Sequence, residues 1–388
     1  MKSGMGETGA SRRSPSSPPA IPGEGEAQPH REGASDFFLP PGPLRPERLG
    51  PARRASVFYN PAMSFTRDLD VAVLRTVALD RGRRLRIWES LAASGVRSVR
   101  WLNETEAVEG LLATELNPEA HLYLQRNLRP WGIAHALAQD ARHPESEGRF
   151  DWVDLDPYGT PAPFLPAAVQ RLEEGGILSV TATDTAVLAG PERDACLERY
   201  GARPLRTYLC REAGLRILLA HIAFVAAREG QGIHPLLCYG RDHHFRIYAQ
   251  LTAPGPALPI QEVPFPGYTG PPIPEGRRGG PLWTGALFDR GFLHRIEVPA
   301  SAEQGPAVRA WLELLREESA VERIFYYEIG EVCKSRGLPQ PPRRDRIFSS
   351  FRAAGWKVAR THFDPSGFRT DAPWAEVAEL ITGLLPVR

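Results

Sequence analysis

Asp156 closes an apolar run and is followed by Pro157, Tyr158 and Gly159 in the stretch DWVDLDPYGTP, residues 151–161. An acid in that place needs a partner, because an unpaired buried carboxylate is costly. An amine conjugated to a heteroaromatic ring is a poor nucleophile, since its lone pair is delocalised into the ring. If a carboxylate and a neighbouring carbonyl accept its two N–H bonds, the nitrogen can pyramidalise and aim that pair at an electrophilic methyl. Asp156 and the carbonyl of Pro157 are residue types able to do this, Tyr158 could stack on the ring, and Gly159 lets the chain turn away. The plainer reading is an Asp-Pro turn; the position at the end of a strand favours the chemical one.

Three more acids end apolar runs: Glu89, Glu115 and Asp140. Small residues fill the segment from Glu89 to Gly95 in WESLAASGVRSVRW, which lets backbone approach a ligand closely, although the segment is not G-x-G-x-x-G. Glu115 comes 20 residues after Gly95, the spacing at which an acid at the next strand end holds both hydroxyls of a ribose. Asp140 with Ala141 can accept from an adenine amino group, or Asp140 can simply cap a helix. Together these ends describe a nucleoside pocket without a pyrophosphate cradle, which suits S-adenosylmethionine better than a nicotinamide dinucleotide.

The elements that must position these acids are candidate strands at 85–88, 110–114, 135–138, 150–155 and 176–182, with helix-length segments between most of them. This alternation predicts an α/β fold with a mostly parallel, doubly wound sheet, whose ligands bind beyond the carboxyl ends of the strands. Leu215, Leu218, Leu219 and Ile222 have helical spacing and predict the buried face of a covering helix. A length of 388 residues implies a large domain and a smaller one, and a net charge of +1 means that any nucleic-acid contact rests on local clusters. Cys196, Cys210, Cys238 and Cys333 include no C-x-x-C pair, as expected of reduced intracellular thiols. No apolar stretch approaches the roughly 20 residues of a membrane span. Residues 1–50 are rich in Ser, Pro, Gly and Arg and read as a disordered tail.

Over blocks from about residue 56 onward the sequence resembles the tRNA (guanine26-N2)-dimethyltransferases. The matching stretches are VFYNPAMSFTRDLD, LAASGVRSVR, DLDPYGTPAPFLPAA, VTATDTAVLAG, CLERYGARPLRTYLCREAGLRILL, GPLWTGALFD and ARTHFDPSGFRTDAP. The resemblance implies a class I Rossmann-like methyltransferase with S-adenosylmethionine as cofactor and tRNA as partner. It implies cofactor contacts from Arg67, Arg97, Glu115, Asp140 and Ala141, engagement of the guanine amine by Asp156 and Pro157, and a base sandwiched by Phe58 and Tyr158. Where many members carry paired cysteines for zinc, this chain has a Pro- and Gly-rich run after residue 252, so no zinc is expected; the adjacent His243 and His244 would point to opposite faces of a strand.

After about residue 295 the pattern becomes two helices and a strand-rich hairpin, read as a winged-helix-like α+β domain over 296–388, behind a catalytic domain over 51–295. Lys334, Arg336, Arg343, Arg344, Arg346, Arg352, Lys357 and Arg360 make it basic, with Phe348, Phe351 and Trp356 among them. With Arg199, Arg203, Arg206 and Arg211 these are the expected grip on tRNA. The expectation is a monomeric, cytoplasmic enzyme that methylates guanine N2. The alternatives are an amino-methyltransferase of DNA adenine or cytosine, and a tRNA-binding protein without catalysis.

Overall fold

The computed structural model describes residues 27–41, 57–144, 148–255 and 257–384. The expected tail up to residue 26 lies outside them. Within the same 50 residues, however, the chain forms a hairpin of β1 (Gln28–Glu32) and β2 (Ser35–Leu39). The reason is a period-two pattern inside a polar composition: Ser35, Phe37 and Leu39 are buried while their neighbours are less so. The side-chain amide of Asn127 pairs with both backbone groups of Phe38, at 2.7 and 2.9 Å, and so adds a strand-like partner.

The main body follows the expected alternation. Helix α1 (Ser64–Arg81) precedes β3 (Leu85–Glu89), α2 (Val96–Glu104), β4 (Val108–Thr114), α3 (Pro118–Leu128), β5 (Ala134–Leu137) and β6 (Phe150–Leu155). Then come α4 (Leu165–Gln170), β7 (Leu172–Ala182), α5 (Thr185–Leu188), α6 (Arg193–Tyr200), α7 (Cys210–Arg228), β8 (Gly232–Arg241) and β9 (His244–Thr252). The seven strands run in the order β5-β4-β3-β6-β7-β9-β8, parallel from β5 to β7, with β9 antiparallel to both its neighbours. Strand order reverses at β3, which opens a crevice beyond its carboxyl end.

Helix α7 is buried nearly all round rather than on one stripe, because the Pro- and Gly-rich run covers its outer side with β10 (Ile260–Val263) and β11 (Gly279–Trp283). Beyond α8 (Arg290–Arg295), α9 (Gly305–Ser319) inserts Val308, Leu312 and Leu315 into the same core as Leu69 and Val73 of α1. The expected boundary at 295 therefore falls too early. A separate small core begins at Tyr327, built on β12 (Tyr327–Glu328), α10 (Ile329–Ser335), α11 (Arg344–Ala353), β13 (Val358–Arg360), β14 (Gly367–Thr370) and α12 (Trp374–Gly383). With strand order β12-β14-β13 and α10, α11 and α12 packed on them, this small domain is winged-helix-like.

A buried ionic seam joins the two parts. Arg369 of β14 donates to Glu212 of α7 at 2.8 Å and to Glu318 of α9 at 2.6 Å, and Glu318 also accepts from Thr361 and His362.

Glu32 on the hairpin pairs with both Arg67 and Arg100, all three buried; its loss leaves Arg67 with no carboxylate partner among the described residues, while Arg100 keeps Asp68 and Glu104. We expect Glu32→Ala to lower unfolding free energy by about 3 kcal/mol, read by urea denaturation. A change within about 0.5 kcal/mol would show that the hairpin is not part of the folded core.

Candidate active site

The loop between β3 and α2 is tied to its neighbouring strands by local hydrogen bonds. Ser90 donates from its amide (3.1 Å) and hydroxyl (2.7 Å) to the carbonyl of Asp154, and Ala92 donates to the carbonyl of Thr114 at 3.0 Å. Gly95 sits at φ +78°, a conformation that demands glycine, and a Cβ there would also press on the Leu124 side chain at 2.6 Å. Glu115 completes the loop by accepting from the amides of Ala93 and Asn117, each at 2.8 Å.

Under this loop lies a cluster of charges. Arg97 of α2 contacts Asp70 of α1 and Asp156, stands 3.3 Å from Asp154, and reaches Glu89 at 3.9 Å. Arg246 of β9 bridges Asp70 (2.8 Å) and Asp154 (2.7 Å) and donates to Thr181 at 2.7 Å. Tyr248 donates its hydroxyl to Asp70. Burial, followed by the charges of Asp154 and Asp156, pushes the Glu89 carboxyl well above the usual range, while the Ser98 hydroxyl and amide that donate to it act downward. Four acidic side chains thus share two guanidiniums, and acids outnumber arginines on the floor of the crevice. For Asp156 burial acts upward, yet Arg97 and Arg246 outweigh it and hold the carboxyl below its ordinary value. Its side chain is still 26% exposed, so an anion is presented to the crevice.

The expected site residues divide between this cluster and its rim. Arg97 and Asp156 are in direct contact, where Arg97 was expected on the cofactor. Arg67, also expected on the cofactor, is paired within the chain: Glu32 takes its Nε at 2.6 Å and a terminal nitrogen, and the Asn60 carbonyl accepts another bond at 3.0 Å. Asp140 accepts from the Arg142 amide at 2.9 Å and its guanidinium at 2.6 Å, and the Arg142 side chain and amide bring its carboxyl to about 2. Ala141 is buried in the core beside Val153 and Leu155. Pro157 is buried, while Phe58 and Tyr158 are 53% and 83% exposed. Among the basic candidates, Arg199 pairs with Asp184 at 3.4 Å and Arg211 donates to the Asp242 carbonyl, while Arg203 and Arg206 are exposed. Phe351 is a core residue, and Phe348 and Trp356 pack against that core, which leaves the cations rather than the aromatics on the surface of the small domain.

Sequence reading missed Glu32, Asp70, Arg246 and Tyr248. Their signal is pairwise and distant: Arg246 lies 176 residues from Asp70.

The match to known proteins follows the same extent of chain. The family model described as N2,N2-dimethylguanosine tRNA methyltransferase matches residues 47–256 and 275–382. The chain belongs to this family. Family relatives include the tRNA (guanine(26)-N(2))-dimethyltransferases of Thermococcus kodakarensis, 35% identical over 84% of this chain and 93% of its own, and of Methanothermobacter thermautotrophicus, 32% identical over 86% and 94%. Among solved structures it is similar to Trm1 from Pyrococcus horikoshii, a complex with S-adenosyl-L-methionine, at a TM-score of 0.74 and 27% identity, covering 91% of this chain and 99% of that one.

His244 also adjoins the cluster of this family member: it is buried, within 3.4 Å of the Thr66 hydroxyl, and burial pushes it down to about 4 against the pull of Asp156. A depressed histidine contributes stability above its unfolded value near 6.5 that is lost as pH falls toward 4. We expect His244→Gln to lose less stability than the parent between pH 6.5 and 4, by at most about 3 kcal/mol, in denaturant titrations at each pH. Parallel losses in the two proteins would place the acid sensitivity elsewhere.

Proposed function

We propose that this chain methylates N2 of a guanine in tRNA, at position 26, giving N2-methylguanosine and then N2,N2-dimethylguanosine. The observation that carries this reading is Asp156: an anion held by Arg97, still open to the crevice, on a turn whose next residues are Pro157 and an exposed tyrosine.

The cofactor of the reaction is S-adenosylmethionine, and the crevice suits it. Ser94 Oγ and Gln139 Nε2 are buried without partners beside the expected contacts, and Leu116 and Leu137 expose apolar surface near the ends of β4 and β5. Glu115 would hold the ribose hydroxyls, and Asp140 with Ala141 the adenine. Arg67 and Arg97 would join them only by sharing or leaving their present carboxylates. When bound, S-adenosylmethionine supplies an electrophilic methyl on a positively charged sulfur.

The rest of the chemistry belongs to the chain. Arg97 fixes Asp156, which with the Pro157 carbonyl accepts the two N–H bonds of the guanine amine and frees its lone pair. The Asp156 carboxylate itself favours the positive charge that develops on nitrogen. No strong base is required, because an aryl-type ammonium loses its proton readily. Phe58 and Tyr158 would sandwich the base, offsetting the few kcal/mol of unstacking. The exposed cations Arg343, Arg344, Arg346 and Arg352, on or beside α11, would hold tRNA phosphates. The same reading takes the enzyme as a cytoplasmic monomer without zinc, which light scattering and metal analysis would check.

Purified enzyme with labelled S-adenosylmethionine and unmodified tRNA transcript should yield N2,N2-dimethylguanosine at position 26 by nucleoside mass spectrometry; a different methylated nucleoside would overturn the assignment. Asp156→Asn should reduce kcat on the order of 100-fold while calorimetry shows cofactor binding retained. Replacing Arg344 and Arg346 with alanine should raise KM for tRNA and flatten the salt dependence of binding by about 0.7 to 0.9 in log–log slope for each phosphate released.

A further inference from the structure

The motifs VTATDTAVLAG and CLERYGARPLRTYLCREAGLRILL supply no group to the charge cluster except Thr181, yet they converge on the turn after Asp156. The Gly159 amide donates to Thr183 Oγ at 2.7 Å, and the Thr183 amide donates to the Gly159 carbonyl at 2.9 Å. The Thr160 hydroxyl lies 2.6 Å from the hydroxyl of Tyr200, the last residue of α6, which contacts both oxygens of Asp184 at 2.9 and 3.0 Å.

The direction of this chain of bonds is fixed by counting hydrogens. A carboxylate only accepts and a phenol has one hydrogen, so Tyr200 donates to Asp184 and Thr160 donates to Tyr200. Thr160 Oγ keeps a lone pair for the Ala162 amide at 3.2 Å. The Tyr200 ring is buried and meets His221 of α7 edge-on, at 5.4 Å between centroids, so the hydroxyl is anchored to a rigid helix. The turn itself lacks such support on one side. Gly159 has φ +96°, and a Cβ there would meet nothing within 4 Å, so no packed atom presses on it from that direction.

We propose that Tyr200 is a positioning residue whose hydroxyl, held between Asp184 and Thr160, fixes the turn that presents Pro157 and Tyr158 to the base. This rests on the reading of that turn as the element that binds the guanine amine.

The test uses the full chain with Tyr200→Phe, Thr160→Val and Thr160→Ser. Tyr200→Phe and Thr160→Val should each lower kcat on tRNA on the order of 10-fold with the KM for S-adenosylmethionine unchanged. The double variant should be no worse than Thr160→Val alone, since that substitution already cuts the Thr160–Tyr200 bond. Thr160→Ser should restore the parent rate. Amide exchange in a peptide spanning residues 157–161 should quicken on the order of 10-fold in the two defective variants and not in Thr160→Ser. Parent-like kcat and exchange in both would overturn the proposal. If the parent enzyme itself methylates no guanine, the functional reading fails and exchange alone decides this one. Should Tyr200→Phe unfold, Thr160→Val carries the test, because it leaves the Tyr200–Asp184 bond in place.

Discussion

Two arginines, Arg97 and Arg246, allow four acids to share the floor of one crevice. Asp70, Glu89, Asp154 and Asp156 come from α1, β3, β6 and the turn after β6, and the two guanidiniums between them offset their mutual repulsion. Removing one member of such a buried set costs about 3 to 5 kcal/mol, because the rest are left without compensation. The arrangement therefore stabilises little on its own account. Its effect is to hold Asp156 ionised and oriented by Arg97, with Arg246 adding its charge, at the edge of a cluster in which acids outnumber arginines.

The sheet was legible because a parallel strand buried on both faces reads as an apolar run, and the buried stretches of β3, β4, β6 and β7 read that way, whereas the edge strand β5 is half exposed. The acids at their ends were legible too, since a charge that terminates such a run has few other reasons to be there. Partners were not. Arg67 and Arg97 carry no mark in sequence that distinguishes a guanidinium facing a cofactor from one facing Glu32 or Asp156. The hairpin was missed because its five-residue strands sit in a composition typical of disorder, and only Phe37 and Leu39 betray burial. Helix α9 was assigned to the small domain by its position in the chain, whereas its apolar stripe is claimed by α1.

The winged-helix unit and the sheet are joined by charge as well as by packing. Arg369 reaches Glu212 and Glu318 from one strand, and Glu212 in turn holds Arg216 at 2.8 Å and the Phe325 amide at 3.0 Å. Buried pairs of this kind specify one geometry and penalise others. A rigid seam suits a protein whose cationic surface on α11 and whose Asp156 must engage the same substrate at a set separation.

Strand β9 enters the sheet out of chain order, between β7 and β8, and brings Arg246 to Asp154 across 92 residues of intervening sequence. A ribosome-bound chain that has emerged only as far as α7 already contains all four acids but lacks one of their two cations. The parallel half of the sheet must then wait with part of its negative charge solvated, and the β8–β9 hairpin must dock as a unit to close it. Contacts of such sequence separation form late and slowly. The last step in closing the charge cluster is thus also the step that completes the seven-stranded sheet, and a nascent chain has no competent site until the hairpin is in place.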